Sequence, residues 1–112
     1  MEILYKNKKV KKQCTSIMRA KRDFPEKDAK KLIQRIEFIK NVETLEDVIN
    51  SPRCNFHKLK GNLADNYAID INGRKSPYRL IICIEGYNIE EIFKKSDCIT
   101  QIRIMEVSKH YE

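Results

Sequence analysis

Residues 56–86 read FHKLKGNLADNYAIDINGRKSPYRLIICIEG, and this stretch decides the fold. Tyr67, Ile69 and Ile71 alternate with Ala68 and Asp70, the pattern of a strand with one buried face. Asn72-Gly73 signals a turn. Arg74, Lys75 and Ser76 lengthen it, and Pro77 limits ladder pairing there. Residues 78–84 are apolar on both faces apart from Arg79, which predicts a central strand. Upstream, residues 55–60 open the strand region and Gly61-Asn62 marks a turn or loop. A strand apolar on both faces needs cover, so the flanking segments must supply it.

On the N-terminal side, Val10, Cys14, Ile17 and Met18 recur at helical spacing among Lys8, Lys9, Lys11, Lys12 and Arg19. A second helix is expected from about Asp23, where Asp23 and Glu26 have capping-box spacing and Pro25 is tolerated in the first turn. Ala29, Leu32, Ile33, Ile36, Ile39 and Val42 form its apolar stripe. Leu45, Val48 and Ile49 extend that stripe or make a short further turn before Asn50-Ser51-Pro52. Residues 2–5 fit an edge strand. On the C-terminal side, residues 88–95 fit a short helix or a distorted hairpin. Residues 99–107 fit a last strand, with Ile102 and Ile104 on one face and Arg103, Met105 and Val107 on the other. The expected order is a helical hairpin packed on a mainly antiparallel sheet, in one domain spanning residues 1–112.

The 112 residues are 41% hydrophobic, enough for one core, and carry a formal charge of +7. That sign favours a polyanion or an acidic protein partner. Cys14, Cys54, Cys83 and Cys98 make no CxxC pair; Cys14 and Cys83 fall in apolar patterns and read as small core residues. With two histidines a zinc site is poorly supported, and no metal or cofactor is expected. No segment has the length of a signal peptide's apolar run or a membrane span, so a reducing cytoplasm and no membrane association are expected. A glycine-rich phosphate loop, a GxSxG elbow and HExxH are absent, and the carboxylates are scattered. A helix-turn-helix reader is poorly supported, because strands flank the helical hairpin.

The remaining polar groups are the candidates for chemistry. A charge inside the most apolar strand is costly unless paired, so Arg79 either grips phosphate or forms an ion pair with Glu85 or Glu106. His57 lies among Lys58 and Lys60, whose charge favours neutral imidazole, the form that acts as a base. His110-Tyr111 adds a second proton-transfer group and a ring able to stack on a base. Arg74, Lys75 and Lys109 add positive charge.

The hexapeptide Phe56-His57-Lys58-Leu59-Lys60-Gly61, followed by residues 67–73, then Tyr78-Arg79-Leu80 and Glu85, resembles the host-inhibition-of-growth (HigB-like) branch of the RelE/ParE toxin superfamily. The resemblance implies a RelE-like microbial ribonuclease fold of the α+β class. Two N-terminal helices would pack on a curved, mainly antiparallel four- to five-stranded sheet. It also implies the toxin of a type II toxin–antitoxin pair. Such toxins cleave mRNA, commonly in the ribosomal A site and without a metal, and are neutralised by a cognate antitoxin. Operator DNA is bound only through the antitoxin complex. His57 matches the histidine of the first motif, Lys58 and Lys60 flank it, and Arg79 matches the arginine of the aromatic-Arg-Leu strand. His57, Arg79, His110 and Tyr111 are the catalytic candidates on this reading. Lys58, Lys60, Tyr67, Arg74, Lys75 and Lys109 are the RNA-binding candidates. Ser108-Lys109-His110-Tyr111 stands where many members end in Asp-Tyr-His, and residues 88–98 are extra length. Two alternatives stay open: a ParE-like inhibitor of DNA gyrase, and a non-enzymatic module that binds RNA or protein.

Overall fold

The computed structural model describes residues 1–109. The elements run β1 (Glu2–Tyr5), α1 (Lys8–Thr15), α2 (Ile17–Asp23), α3 (Glu26–Asn41), α4 (Leu45–Ile49), β2 (His57–Lys58), β3 (Tyr67–Asp70), β4 (Tyr78–Cys83), α5 (Ile89–Ile92) and β5 (Gln101–Lys109). The five strands form one sheet in the order β1-β5-β4-β3-β2. β4 is its middle strand, as the two-sided apolar run predicts. β1 pairs with β5 in parallel, and every other pairing is antiparallel.

The N-terminal half has more breaks than its periodicity suggests. Asn7 starts α1, its side chain accepting from the Val10 N–H at 2.9 Å. Ser16 then adopts extended backbone, ending α1, and its hydroxyl accepts from the Arg19 N–H at 3.3 Å to start α2. The expected first helix is therefore two helices meeting at a corner. Ile17 and Met18 lie just past that corner and face solvent, Met18 at 81% exposure. The capping box expected from Asp23 does not form. Asp23 closes α2, and α3 begins at Glu26 with Pro25 at its N-cap. The Asp23 carboxylate instead accepts from Gln13 Nε2 at 2.9 Å and Arg19 Nε at 2.8 Å. Those bonds, the Gln13 contact first, hold its carboxyl down at about 2. Leu45 and Val48 belong to the separate turn α4.

Ala29, Leu32, Ile36 and Ile39 of α3 are buried with Val10, Cys14 and Ala20 against Ile69, Leu80, Ile82, Ile102 and Ile104 of the sheet. The opposite face carries a smaller cluster, Leu59, Ala68 and Ile81, with Leu63 and Met105 packed on it. β3 is therefore buried along its whole length rather than on one face. A register shift between Ile81 and Ile82 leaves Met105 as the extra residue of β5. Among the described residues no helix is long and apolar enough to cross a membrane.

Candidate functional site

Directly opposed residues of antiparallel strands share a face. His57, Ala68, Ile81 and Glu106 form one row across β2, β3, β4 and β5; Asp70, Arg79 and Ser108 form another. Ala68 and Ile81 belong to the small cluster, which places both rows on the face away from the helices. His57 and Arg79 are thus brought to one side of the sheet.

A chain of polar contacts connects them. His57 Nδ1 lies 2.6 Å from the carbonyl oxygen of Asn55. A carbonyl only accepts, so Nδ1 is the donor in this contact, which selects the Nδ1–H tautomer whenever the ring is neutral. Asn55 has a left-handed backbone, φ 43°, a conformation that asparagine tolerates better than most residues. Its Nδ2 donates to Asp70 Oδ2 at 3.3 Å. The other carboxylate oxygen of Asp70 lies 2.8 Å from Arg79 Nε, with the carboxylate side chain 2% and the guanidinium side chain 12% exposed. The contact is ionic rather than an aligned hydrogen bond, since Oδ1 has no donor in line with it. Arg79 Nη1 donates to the carbonyls of Gly73 (3.3 Å), Tyr78 (2.9 Å) and Ser76. Nη2 is left without a hydrogen bond among the described residues.

Arg79 is therefore ion-paired, but with neither carboxylate expected from sequence. Glu85 takes Arg103 instead, at 2.7 Å. Glu106 is exposed beside Ile81, one row away from Arg79. Asp70 and Asn55 are the residues that sequence reading missed. A signal for Asp70 was present: an acid inside YAIDI needs a partner, and Arg79 is the one cation within the facing apolar strand.

The other candidates are scattered around these two rows. Lys58 and Lys60 are exposed on and beside the edge strand β2, and Arg74 and Lys75 are exposed in the β3–β4 connection. Lys109 is exposed opposite Tyr78, its ammonium 5.6 Å from the centre of that ring. Tyr67 needs correction as a base-stacking candidate. It is 2% exposed, and its ring stacks on Phe56 at 5.0 Å with 11° between the planes. Burial, and then the Asp65 charge, push its phenol pKa up. Its apolar surface is spent in the core, so no open face remains for a nucleobase. His110 and Tyr111 lie outside the described residues. Among the described residues no group of three or more histidine, cysteine or carboxylate side chains could hold a metal ion. What the face offers is the Arg79 guanidinium beside the His57 imidazole; Lys58, opposite Tyr67, and Lys109, opposite Tyr78, stand on the helix side of the sheet.

No family model matches the sequence, and no curated protein matches it. Solved structures do. The chain is similar to one in a YoeB–YefM complex from Staphylococcus aureus, with 18% identity, TM-score 0.52, and coverage of 99% of this chain and 98% of that one. It is also similar to a YoeB/ParE toxin from Agrobacterium tumefaciens, with 14% identity, TM-score 0.54, and coverage of 99% and 100%. The fold is accordingly the α+β, RelE-like architecture, helices on one face of a mixed sheet. These two structures carry YoeB and ParE names rather than that of the host-inhibition-of-growth branch.

Proposed function

We propose that residues 1–112 act as one toxin domain of a type II toxin–antitoxin pair, and that the toxin is an mRNA endoribonuclease. The observation that carries the reading is His57 and Arg79 on one sheet face; exposed lysines and arginines on the edge strand and the β3–β4 connection add positive charge to the domain. The RelE-like fold supports the toxin class. The YoeB–YefM complex supports a cognate protein antitoxin as the partner. The HigB-like branch rests on the motif residues at 56–61 and 78–80 alone.

In this reaction the RNA 2′-OH attacks the adjacent phosphorus and the 5′-oxygen leaves, giving a 2′,3′-cyclic phosphate and a 5′-OH. His57 through Nε2, or His110, takes the hydroxyl proton. The other histidine or Tyr111 protonates the leaving oxygen. Arg79 Nη2 stabilises charge on the pentavalent phosphate, the kind of fixed donor that contributes most to such steps, and Lys58 and Lys60 approach the RNA from the β2 edge. Arg74, Lys75 and Lys109 hold flanking phosphates. The message in the ribosomal A site is the proposed substrate, and operator DNA is reached only through the antitoxin complex. Mapping the RNA ends after induction tests the mechanism. A 5′-OH and cyclic phosphate are expected; 5′-phosphate products, or activity lost with EDTA and restored by Mg²⁺, would overturn it.

One observation favours a ParE-like second reading. The Arg79 guanidinium is largely occupied by Asp70 and backbone carbonyls, as a structural arginine would be. That reading predicts DNA damage with intact mRNA and indifference to substitution of both histidines.

A further inference from the structure

We infer that Asp70 is a positioning residue, which fixes the Arg79 guanidinium directly and the His57 ring through Asn55. The consequence for cleavage rests on the ribonuclease reading above; the geometry does not.

One buried carboxylate serves two partners in two directions. Oδ1 faces Arg79 Nε at 2.8 Å, and Oδ2 accepts from Asn55 Nδ2 at 3.3 Å. With Asp70 2% exposed, water competes poorly for either oxygen. The backbone adds a second tie, because the Asp70 N–H donates to the Cys54 carbonyl at 2.7 Å. Residues 54 and 55 lie in a stretch without helix or strand, and these two bonds clamp it to the end of β3. The clamp holds Asn55 at φ 43° and aims its carbonyl at His57 Nδ1. The imidazole tautomer is thereby set by the Asp70 carboxylate through one intervening residue, Asn55. A ring bonded to a mobile carbonyl would lose that preference, and with it the fixed position of its basic nitrogen.

On the arginine side the same carboxylate holds the guanidinium charge in place, and the carbonyls bonded to Nη1 fix the plane of the fork. Nε is taken by Asp70 and Nη1 by three carbonyls, which leaves Nη2 as the nitrogen able to meet an incoming anion. Lysine at 79 could not divide its contacts this way, since its donors share one nitrogen. The competing account gives Asp70 only the task of neutralising a buried cation. That account predicts no response at His57.

The test uses the full chain with ¹⁵N-labelled histidine, and compares wild type with Asp70→Asn and Asn55→Gly. Glycine keeps the left-handed backbone and the carbonyl while removing the amide that reaches Asp70. Assignment of the His57 signals comes from their loss in His57→Gln. Wild type is expected to show the Nδ1–H tautomer, and both variants a shift in tautomer ratio on the order of fivefold towards Nε2–H, as losing one hydrogen bond implies. In mRNA cleavage kcat should fall with KM for RNA little changed. An unchanged tautomer ratio in folded Asn55→Gly overturns the inference, whatever Asp70→Asn does to folding. If wild type cleaves no RNA while the ratio still responds, the ribonuclease reading fails and the positioning role stands.

Discussion

Two aspartate–arginine pairs hold two different parts of this molecule. At the helical corner, Asp23 meets Arg19 at 2.8 Å with side chains 21% and 23% exposed. On the far face of the sheet, Asp70 meets Arg79 at the same distance with side chains 2% and 12% exposed. The contact length is equal and the surroundings are not. Water and salt screen the corner pair, so it is worth little on its own. The strand pair has lost its hydration, so each partner depends on the other. The corner can be edited piece by piece; the strand pair responds as a unit.

The largest effect should follow from breaking the strand pair on one side. Arg79→Ala leaves a buried carboxylate facing no cation and is expected to cost about 3–5 kcal/mol in denaturant unfolding. Loss of toxicity in that variant would therefore report folding as much as chemistry. Removing both charges separates the two. Asp70→Leu with Arg79→Met should recover most of that stability, since apolar replacement of a buried pair is often neutral. Cleavage and toxicity should stay absent in the double variant. Full activity there would show that the pair only holds the fold.

This contrast also explains what could be read from the sequence. The sheet was legible because its strands carry long apolar runs: residues 78–84 marked β4 as central, and it lies in the middle of the sheet. The corner was not legible, because periodicity does not register a serine that ends one helix while starting the next. Ile17 and Met18 kept the helical spacing of a core stripe, yet the break at Ser16 turned them outward. Asp23 preceded Glu26 at the right interval for a capping box, but Gln13, brought close by that same break, and Arg19, one turn back in the same helix, took its carboxylate. For the candidate site, His57 and Arg79 came from motif residues. Asp70 had a sequence signal, an acid inside an apolar strand, but its partner came from register, and Asn55 came only from its side-chain and carbonyl contacts. Strand pairing decides which acid faces which base, and a single chain's spacing does not encode it. For Tyr67 the two readings diverged: alternation with Ile69 and Ile71 put it on a buried face, where it lies, while the motif made it an RNA-binding candidate.

Effects at the corner should be smaller and separable. Ser16→Ala removes the side-chain acceptor for the Arg19 N–H, and Asn7→Ala does the same for Val10 at the start of α1. Each is expected to cost about 1 kcal/mol, with the two costs adding in the double variant within about 0.5 kcal/mol. Urea midpoints at constant m-value check this. A cost several times larger at Ser16 would mean that the corner, like the strand pair, is a single unit.

The smallest effect, and the most diagnostic, belongs to Asp23→Asn. Asparagine keeps an oxygen for Gln13 and Arg19, so the substitution removes charge with little change of shape. At neutral pH the loss should be about 0.2–1 kcal/mol and should shrink with added salt. Its pH dependence has a definite sign. The folded carboxyl is lowered from 3.8 to about 2, so the carboxylate contributes stability above pH 3.8. That contribution is lost as pH falls through about 2, where the folded protein also binds the proton. Wild type and Asp23→Asn should therefore differ at pH 5–7 and converge as the pH falls from about 4 towards 2. A gap that persists unchanged at pH 2 would show that the asparagine disturbed packing around the buried Gln13 rather than removing a charge. The corner would then depend on burial, as the strand pair does.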